Sequence, residues 1–203
     1  MKIGIINNSL GNVGSVKTAF EFYKTRVDIV NEPNEIKQAD MLVLAGVGNF
    51  KTAVRKLKQL NFWDLVNEEV IIKKKPILGI CLGMQLFSDL SYEGGETKGF
   101  GWISGKVDMI NDRTIKIPHI GWNEVSSDSS LFRGINNRPF YYMHSFHFVP
   151  DDRSNVVATT GYGNTSIAAC LQKDNITGVQ FHPEKSQGDG LRFIRNYLEA
   201  SKK

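Results

Sequence analysis

The chain alternates short, continuously apolar runs with longer stretches whose apolar residues recur every three or four positions. "KIGIIN" (2–7) is a β-branched run ending in polar turn residues, which predicts a buried first strand. Val13, Val16, Ala19, Phe20 and Tyr23 then fall on one face of a helix. "VDIV" predicts a second strand and "MLVLAG" (41–46) a third that stops at glycine. Helices are expected through "FKTAVRKLKQL" and "FWDLVNEEVIIKKK", the latter ended by Pro76. "PILGI" is a fourth strand, followed directly by a helix over "LGMQLFSDL". Strands that are apolar throughout, with helices between them, suit a parallel sheet covered on both faces.

After Leu90 the rhythm changes. "SYEGGETKGFGWISGKV" is dense in glycine and reads as loop and turns. The runs that follow are short and strand-like: "KVDMI", "FYYMHSFHF", "NVVATT", "SIAACL" and "ITGVQF". A helix, "GDGLRFIRNYLEA", closes the pattern. The expected fold class is therefore α/β, a mostly parallel central sheet flanked by helices, with added antiparallel strands in the C-terminal half. No repeat or linker interrupts the 203 residues, so a single domain over 1–203 is the economical organisation.

Composition changes this picture little. Hydrophobic residues make up 41% and charged residues 23%, ordinary for a soluble globular protein. No apolar stretch approaches the roughly 20 residues of a membrane span, and the N-terminus lacks a secretory pattern. A cytoplasmic protein without a membrane partner is expected. The formal charge is +4, and seven of the positive residues sit in "KTAVRKLKQL" and "IIKKKP", which look like solvated helix faces and ends. No aromatic residues interleave with these cations, so nucleic acid is not an expected partner. "LGNVGS" (10–15) matches neither a dinucleotide nor a Walker A loop.

The chemistry centres on "ILGICLGMQLF" (77–87), where Cys81 falls at a strand-to-helix junction between Gly79 and Gly83. Small residues at both flanking positions permit the tight turn that holds a nucleophile clear of a sheet. A helix start favours thiolate, and the N–H of Leu82 points where an oxyanion would develop. The bland alternative is a buried cysteine beside incidental glycines. Cys170, in "SIAACLQ", reads simply as a small core residue.

A thiolate nucleophile needs a base, and the base an orienting partner. His182, in "GVQFHPEKS", also follows an apolar strand, and Glu184 lies two residues on. Pro183 is expected to keep this segment extended, so that imidazole and carboxylate point the same way. That is the logic of a Cys–His–Glu triad. His144 and His147, read as one strand, would face opposite sides and not act together. The scattered histidines suggest no metal cluster, and no cofactor is expected.

"GICLGMQLF" together with "GVQFHPEKS" resembles the class I glutamine amidotransferases, a flavodoxin-like family. "LAGVGNF", "KGFGWISGKV", "PHIGWNE" and "YYMHSFHFVP" extend the likeness over essentially the whole chain, toward the glutaminase subunits of imidazole glycerol phosphate synthase. The resemblance implies Cys81 as nucleophile, His182 as general base and acid, and Glu184 as its orienter. It implies an oxyanion hole from the N–H groups of Val47 and Leu82. Gly46, Gly48, Gln85, Ser145 and Phe146 would hold glutamine. Asn12, Trp122, Tyr141 and Lys185 would face an ammonia-using (β/α)₈ cyclase subunit in a heterodimer serving histidine biosynthesis.

Ala45 stands where that family usually has proline, and Asn7-Asn8 where it often has Asp-Tyr. These departures motivate an alternative with the same glutaminase chemistry, in which ammonia goes to a synthase making an amidine-bearing surface sugar. A cysteine hydrolase and an inactive scaffold are the other readings of the same residues.

Overall fold

The computed structural model describes residues 1–112, 114–135 and 139–201. Its first half is a run of parallel strands and helices: β1 (Lys2–Ile6), α1 (Val13–Glu21), β2 (Arg26–Val30), β3 (Met41–Gly46), α2 (Phe50–Gln59), α3 (Trp63–Asn67) and β4 (Ile77–Cys81). Asn12 and Asn49 cap α1 and α2, their side chains accepting the N–H groups of Ser15 and Thr52. A π-helical turn over Glu68–Ile72 carries α3 toward the break at Pro76.

The second half holds α4 (Leu82–Gln85), β5 (Leu90–Ser91), β6 (Thr97–Lys98), β7 (Gly105–Met109), β8 (His119–Glu124), β9 (Pro139–His144), β10 (Phe146–Pro150), β11 (Val156–Tyr162), β12 (Thr165–Lys173), β13 (Ile176–Val179) and α5 (Gln187–Ala200). Among the described residues the central sheet has the order β11-β12-β13-β4-β3-β1-β2. The run from β13 to β2 is parallel, and β11 and β12 are antiparallel. A smaller sheet, β10-β7-β5-β6, and a β8-β9 pair stand beside it.

Continuous apolarity in the central strands serves two cores. Ile3, Ile5, Met41, Val43, Leu78 and Ile80 pack on the face covered by α1 and α5. Ile6, Leu42, Leu44 and Ile77 pack on the other face, against Phe50, Leu57 and Val66 of the helices there. Cys170 lies fully buried in β12, as its apolar context predicts.

Three expectations need correction. The helix predicted over "LGMQLFSDL" ends after one turn, at Gln85. The carbonyls beyond it are taken by the glycine-rich loop: Phe100 N–H donates to Leu86 O at 2.8 Å and Trp102 N–H to Phe87 O at 2.9 Å. "FYYMHSFHF" is two strands, β9 and β10, that part at Ser145 and enter different sheets. The hydrophobic pattern does not predict β8 at all, because its apolar residues face outward: Ile120 and Trp122 are 57% and 44% exposed.

Gly83 is what lets α4 press onto β3, since a methyl group there would overlap the Leu44 carbonyl. One on Gly79 would sit 2.6 Å from the Phe87 ring. Gly83→Ala is therefore expected to cost about 3 kcal/mol in urea unfolding, because a strand carbonyl cannot move aside. A loss within the noise of a surface substitution would contradict the packing described.

Candidate active site

Parallel pairing sets the site. Gly46 is the register partner of Cys81, and Val179 pairs with Ile80, so Gly46 and Cys81 end adjacent strands in one row and Gln180, the residue after β13, stands beside them. Ligands of parallel sheets bind beyond this edge. At Cys81 the backbone reverses with φ 54° and ψ −108°, a conformation that L-residues avoid. Holding a side-chain-bearing residue there costs on the order of 1–3 kcal/mol, which the packing of Gly79 and Gly83 must offset.

The strand-end histidine meets the same row. His182 Nδ1 lies 2.8 Å from Glu184 Oε1, and both side chains are buried. The contact is made as expected but by a different local structure: Pro183–Lys185 form a 3₁₀ turn, where extended chain was predicted. Pro183 supplies the fixed φ of the turn's first position. A proton on Nδ1, donated to Glu184, leaves Nε2 as the working nitrogen. That atom is buried and has no hydrogen-bond partner among the described residues, and the Cys81 sulfur lies near enough to act on the ring electrostatically. Desolvation by itself lowers the imidazole pKa. The negative charge of the Cys81 sulfur, and then Glu184, outweigh it and raise His182 to about 10. The arrangement keeps the imidazole protonated and oriented beside the Cys81 sulfur.

Beside the sulfur opens a pocket of about 370 Å³ lined by Val47, Gly48, Leu82, Gln85, Ser145 and Phe146, each a predicted site residue. Gln85 Nε2 donates to Phe146 O at 2.8 Å, tying the short helix to the start of β10. Gly46 stays within β3 and does not line the pocket. Asn49, Glu93, Pro118, Met143 and His144 also line it and were not predicted. Glu93 lies in the glycine-rich loop, where no periodicity marks a position; its carboxylate accepts the Phe50 N–H at 2.7 Å.

One predicted oxyanion donor is otherwise engaged. Val47 N–H donates to Leu10 O at 2.6 Å. Asn8 holds this loop in place, donating to Ala45 O at 3.2 Å and accepting the Leu10 N–H at 3.0 Å. Leu82 stands at the first helical position, where an N–H has no carbonyl one turn back within the helix.

The residues predicted for a partner face divide. Trp122 and Tyr141 are register partners on β8 and β9, their rings 5.9 Å apart, and Lys185 Nζ sits 5.5 Å from the Tyr141 ring. Asn12 instead caps α1. His144 does not pair with His147. Its Nε2 lies 3.1 Å from His119 Nδ1, and its own Nδ1 lies 2.9 Å from Phe146 O. Because a carbonyl only accepts, His144 Nδ1 carries the proton and His119 Nδ1–H donates to His144 Nε2. His119 is stacked between Tyr142 and Tyr162, at 4.8 and 3.8 Å.

A strained cysteine at the carboxyl ends of parallel strands, with a buried histidine–carboxylate pair nearby, makes a candidate thiol-dependent acyl-transfer site. The family model described as glutamine amidotransferase class-I matches residues 3–200, and the chain belongs to this family. Its relatives include the imidazole glycerol phosphate synthase subunit HisH of Pelagibacter ubique, 44% identical over 98% of this chain and 99% of that protein. Subunit HisH 1 of Campylobacter jejuni (strain 81-176) is 46% identical over 96% of this chain and 98% of its own. A crystal structure described as glutamine amidotransferase shares the fold, with a TM-score of 0.78 at 15% identity over 99% of both chains.

The buried histidines make stability depend on pH. Desolvation lowers His119 to about 4 and His144 to about 3, against about 6.5 in an unfolded chain. The unfolded state therefore binds more protons between those values, so stability falls as pH drops below about 6.5. Going from pH 7 to pH 5 should cost about 1–2 kcal/mol per imidazole. Urea unfolding at the two pH values checks this, and His119→Gln should flatten the slope. His182 works in the opposite sense, its contribution present below about 6.5 and lost as pH rises through about 10.

Proposed function

We propose that this protein hydrolyses glutamine to glutamate and ammonia, with Cys81 as nucleophile, His182 as acid and base, and Glu184 as orienter. The ammonia passes to a cyclase subunit that makes imidazole glycerol phosphate for histidine biosynthesis, in a cytoplasmic heterodimer. The observation that carries the chemistry is the buried His182, whose Nδ1 Glu184 holds at 2.8 Å while Nε2 is left without a partner among the described residues. The acceptor is inferred from the names of the relatives, which favour histidine synthesis over the surface-sugar alternative.

In the first step the Cys81 thiolate attacks the side-chain carboxamide of glutamine, and the negative charge moves to the carboxamide oxygen. The tetrahedral adduct collapses as His182 gives its proton to the departing nitrogen, releasing ammonia and leaving a γ-glutamyl thioester. His182, now neutral, takes a proton from water, whose oxygen attacks the thioester. Glutamate leaves and the thiolate–imidazolium pair is restored. Glu93 places negative charge on the pocket wall for the α-ammonium group, and Gln85, Ser145 and Phe146 shape the rest.

Leu82 offers one oxyanion donor. The second, Val47, is held by Leu10, and losing one such donor costs about 10²–10³ in turnover. Gly48, at φ 102° with open space around it, leaves the adjoining peptide room to rotate. In this reading the chain alone is a slow glutaminase, and the hole is completed when the 46–48 segment turns. Ile120 and Trp122, exposed on β8, provide an apolar face for the cyclase, and the Tyr141 behind Trp122 accepts the His182 N–H at its carbonyl, 2.8 Å away.

Cys81→Ala is expected to abolish glutamine-dependent synthesis in the reconstituted complex while synthesis from added ammonium persists. Ammonia release from glutamine and cyclase product formation are the measurements. Glutamine-dependent turnover surviving in that variant would overturn the assignment.

A further inference from the structure

Two amide side chains stand behind the nucleophile, and the triad chemistry uses neither for the sulfur. Gln180 is fully buried, and its Nε2 lies 3.5 Å from Cys81 Sγ. Its Oε1 accepts from Gln85 Nε2 at 3.1 Å, and Gln85 Nε2 also donates to Phe146 O at 2.8 Å.

The polarity of this chain is not arbitrary. An amide can turn over and exchange its nitrogen and oxygen, but Phe146 O only accepts, so Gln85 must present Nε2 to it. The second hydrogen on that nitrogen then points at Gln180, which must answer with Oε1. The Gln180 nitrogen is left facing the sulfur. Phe146 O receives His144 Nδ1–H as well, which fills its second lone pair and anchors the start of the chain. The sheet explains why Gln180 is there: Val179 pairs with Ile80, so the next residues on both strands point their side chains to the same face.

We infer that Gln180 is a catalytic residue that donates its side-chain N–H to the Cys81 sulfur, with Gln85 positioning it. As a thiol, Cys81 can turn its S–H toward Met143 O, 3.9 Å away. As a thiolate it can only accept, and Gln180 then supplies a donor aimed from the sheet side, leaving the opposite side to the carboxamide. A donor to a charged acceptor is worth more than one to a neutral acceptor, so the contact favours the ionised, attacking form. It also fixes where the sulfur sits when substrate arrives. The inference rests on the glutaminase reading for its consequence in turnover, not for the contact itself.

The titratable groups around Cys81 are His182 with Glu184 behind it, His144 across the pocket and Glu93 on its wall. All are retained in Gln180→Met, which keeps the length of the side chain and removes the N–H. The test is the rate of Cys81 alkylation by iodoacetamide as a function of pH in the full chain, with mass spectrometry reporting that cysteine. The expected result is an inflection moved up by about one pH unit or more. A merely structural role would lower unfolding resistance without moving the inflection.

An unmoved inflection overturns the inference. Should Gln180→Met fail to fold, the unaltered chain still decides by NMR. Its Gln180 side-chain amide protons should shift with the same inflection as alkylation, and should not do so in Cys81→Ala. Amide protons blind to the titration of Cys81 overturn it equally. Alkylation uses no glutamine, so a moved inflection in a chain that hydrolyses none would leave the donor standing and remove only the glutaminase reading.

Discussion

The end of β4 is pressed between two strands whose own ends must lie in register with it, and the chain must reverse there without room for a side chain at Gly83. Everything at the site follows from that compression. The reversal gives Cys81 its positive φ and lifts the sulfur to the sheet edge. The register sets Gly46 on one side and Gln180 on the other. The strain at Cys81 is held by contacts that cannot relax independently: Leu44 O under Gly83, and Phe87 against Gly79. A site built on strand ends holds its geometry more tightly than one built on loops.

Much of this was legible in the sequence. Apolar strands between amphipathic helices gave away the parallel sheet, and Cys81 between two glycines stood out as a sharp junction. His182 and Glu184 could be paired because each consequence of their spacing was local, even though a 3₁₀ turn replaced the extended segment. What escaped notice depended on partners distant in sequence. Gln180 looks like one more strand residue until β13 is placed beside β4. His144 meets His119 only because the chain breaks at Ser145 and β8 pairs with β9. Glu93 comes from a loop that periodicity does not describe. The one-turn length of α4 was hidden because the competing hydrogen bonds come from residues 99–103.

The engagement of Val47 marks the limit of motif reasoning. The motif supplied a segment that lines the pocket, but a backbone N–H takes whichever acceptor is nearer, and here Leu10 O is, with Asn8 holding that loop against Ala45. The same Asn8 is one of the two residues that depart from the family's usual pair. Its side chain thus has a structural duty that accounts for an amide at a fully buried position. Strand β8, with Ile120 and Trp122 exposed, and His182 share a short connection through Tyr141, so a partner seated on Trp122 would adjoin the backbone that carries His182.

The central claim is that the sulfur of Cys81 becomes covalently acylated by glutamine. Acid quenching of the protein during turnover, followed by peptide mass spectrometry, tests it most directly. A γ-glutamyl adduct on the peptide containing Cys81, absent when glutamine is omitted, is the predicted result. Ammonia release from glutamine with no adduct on that peptide, or with the adduct on another residue, would contradict the account.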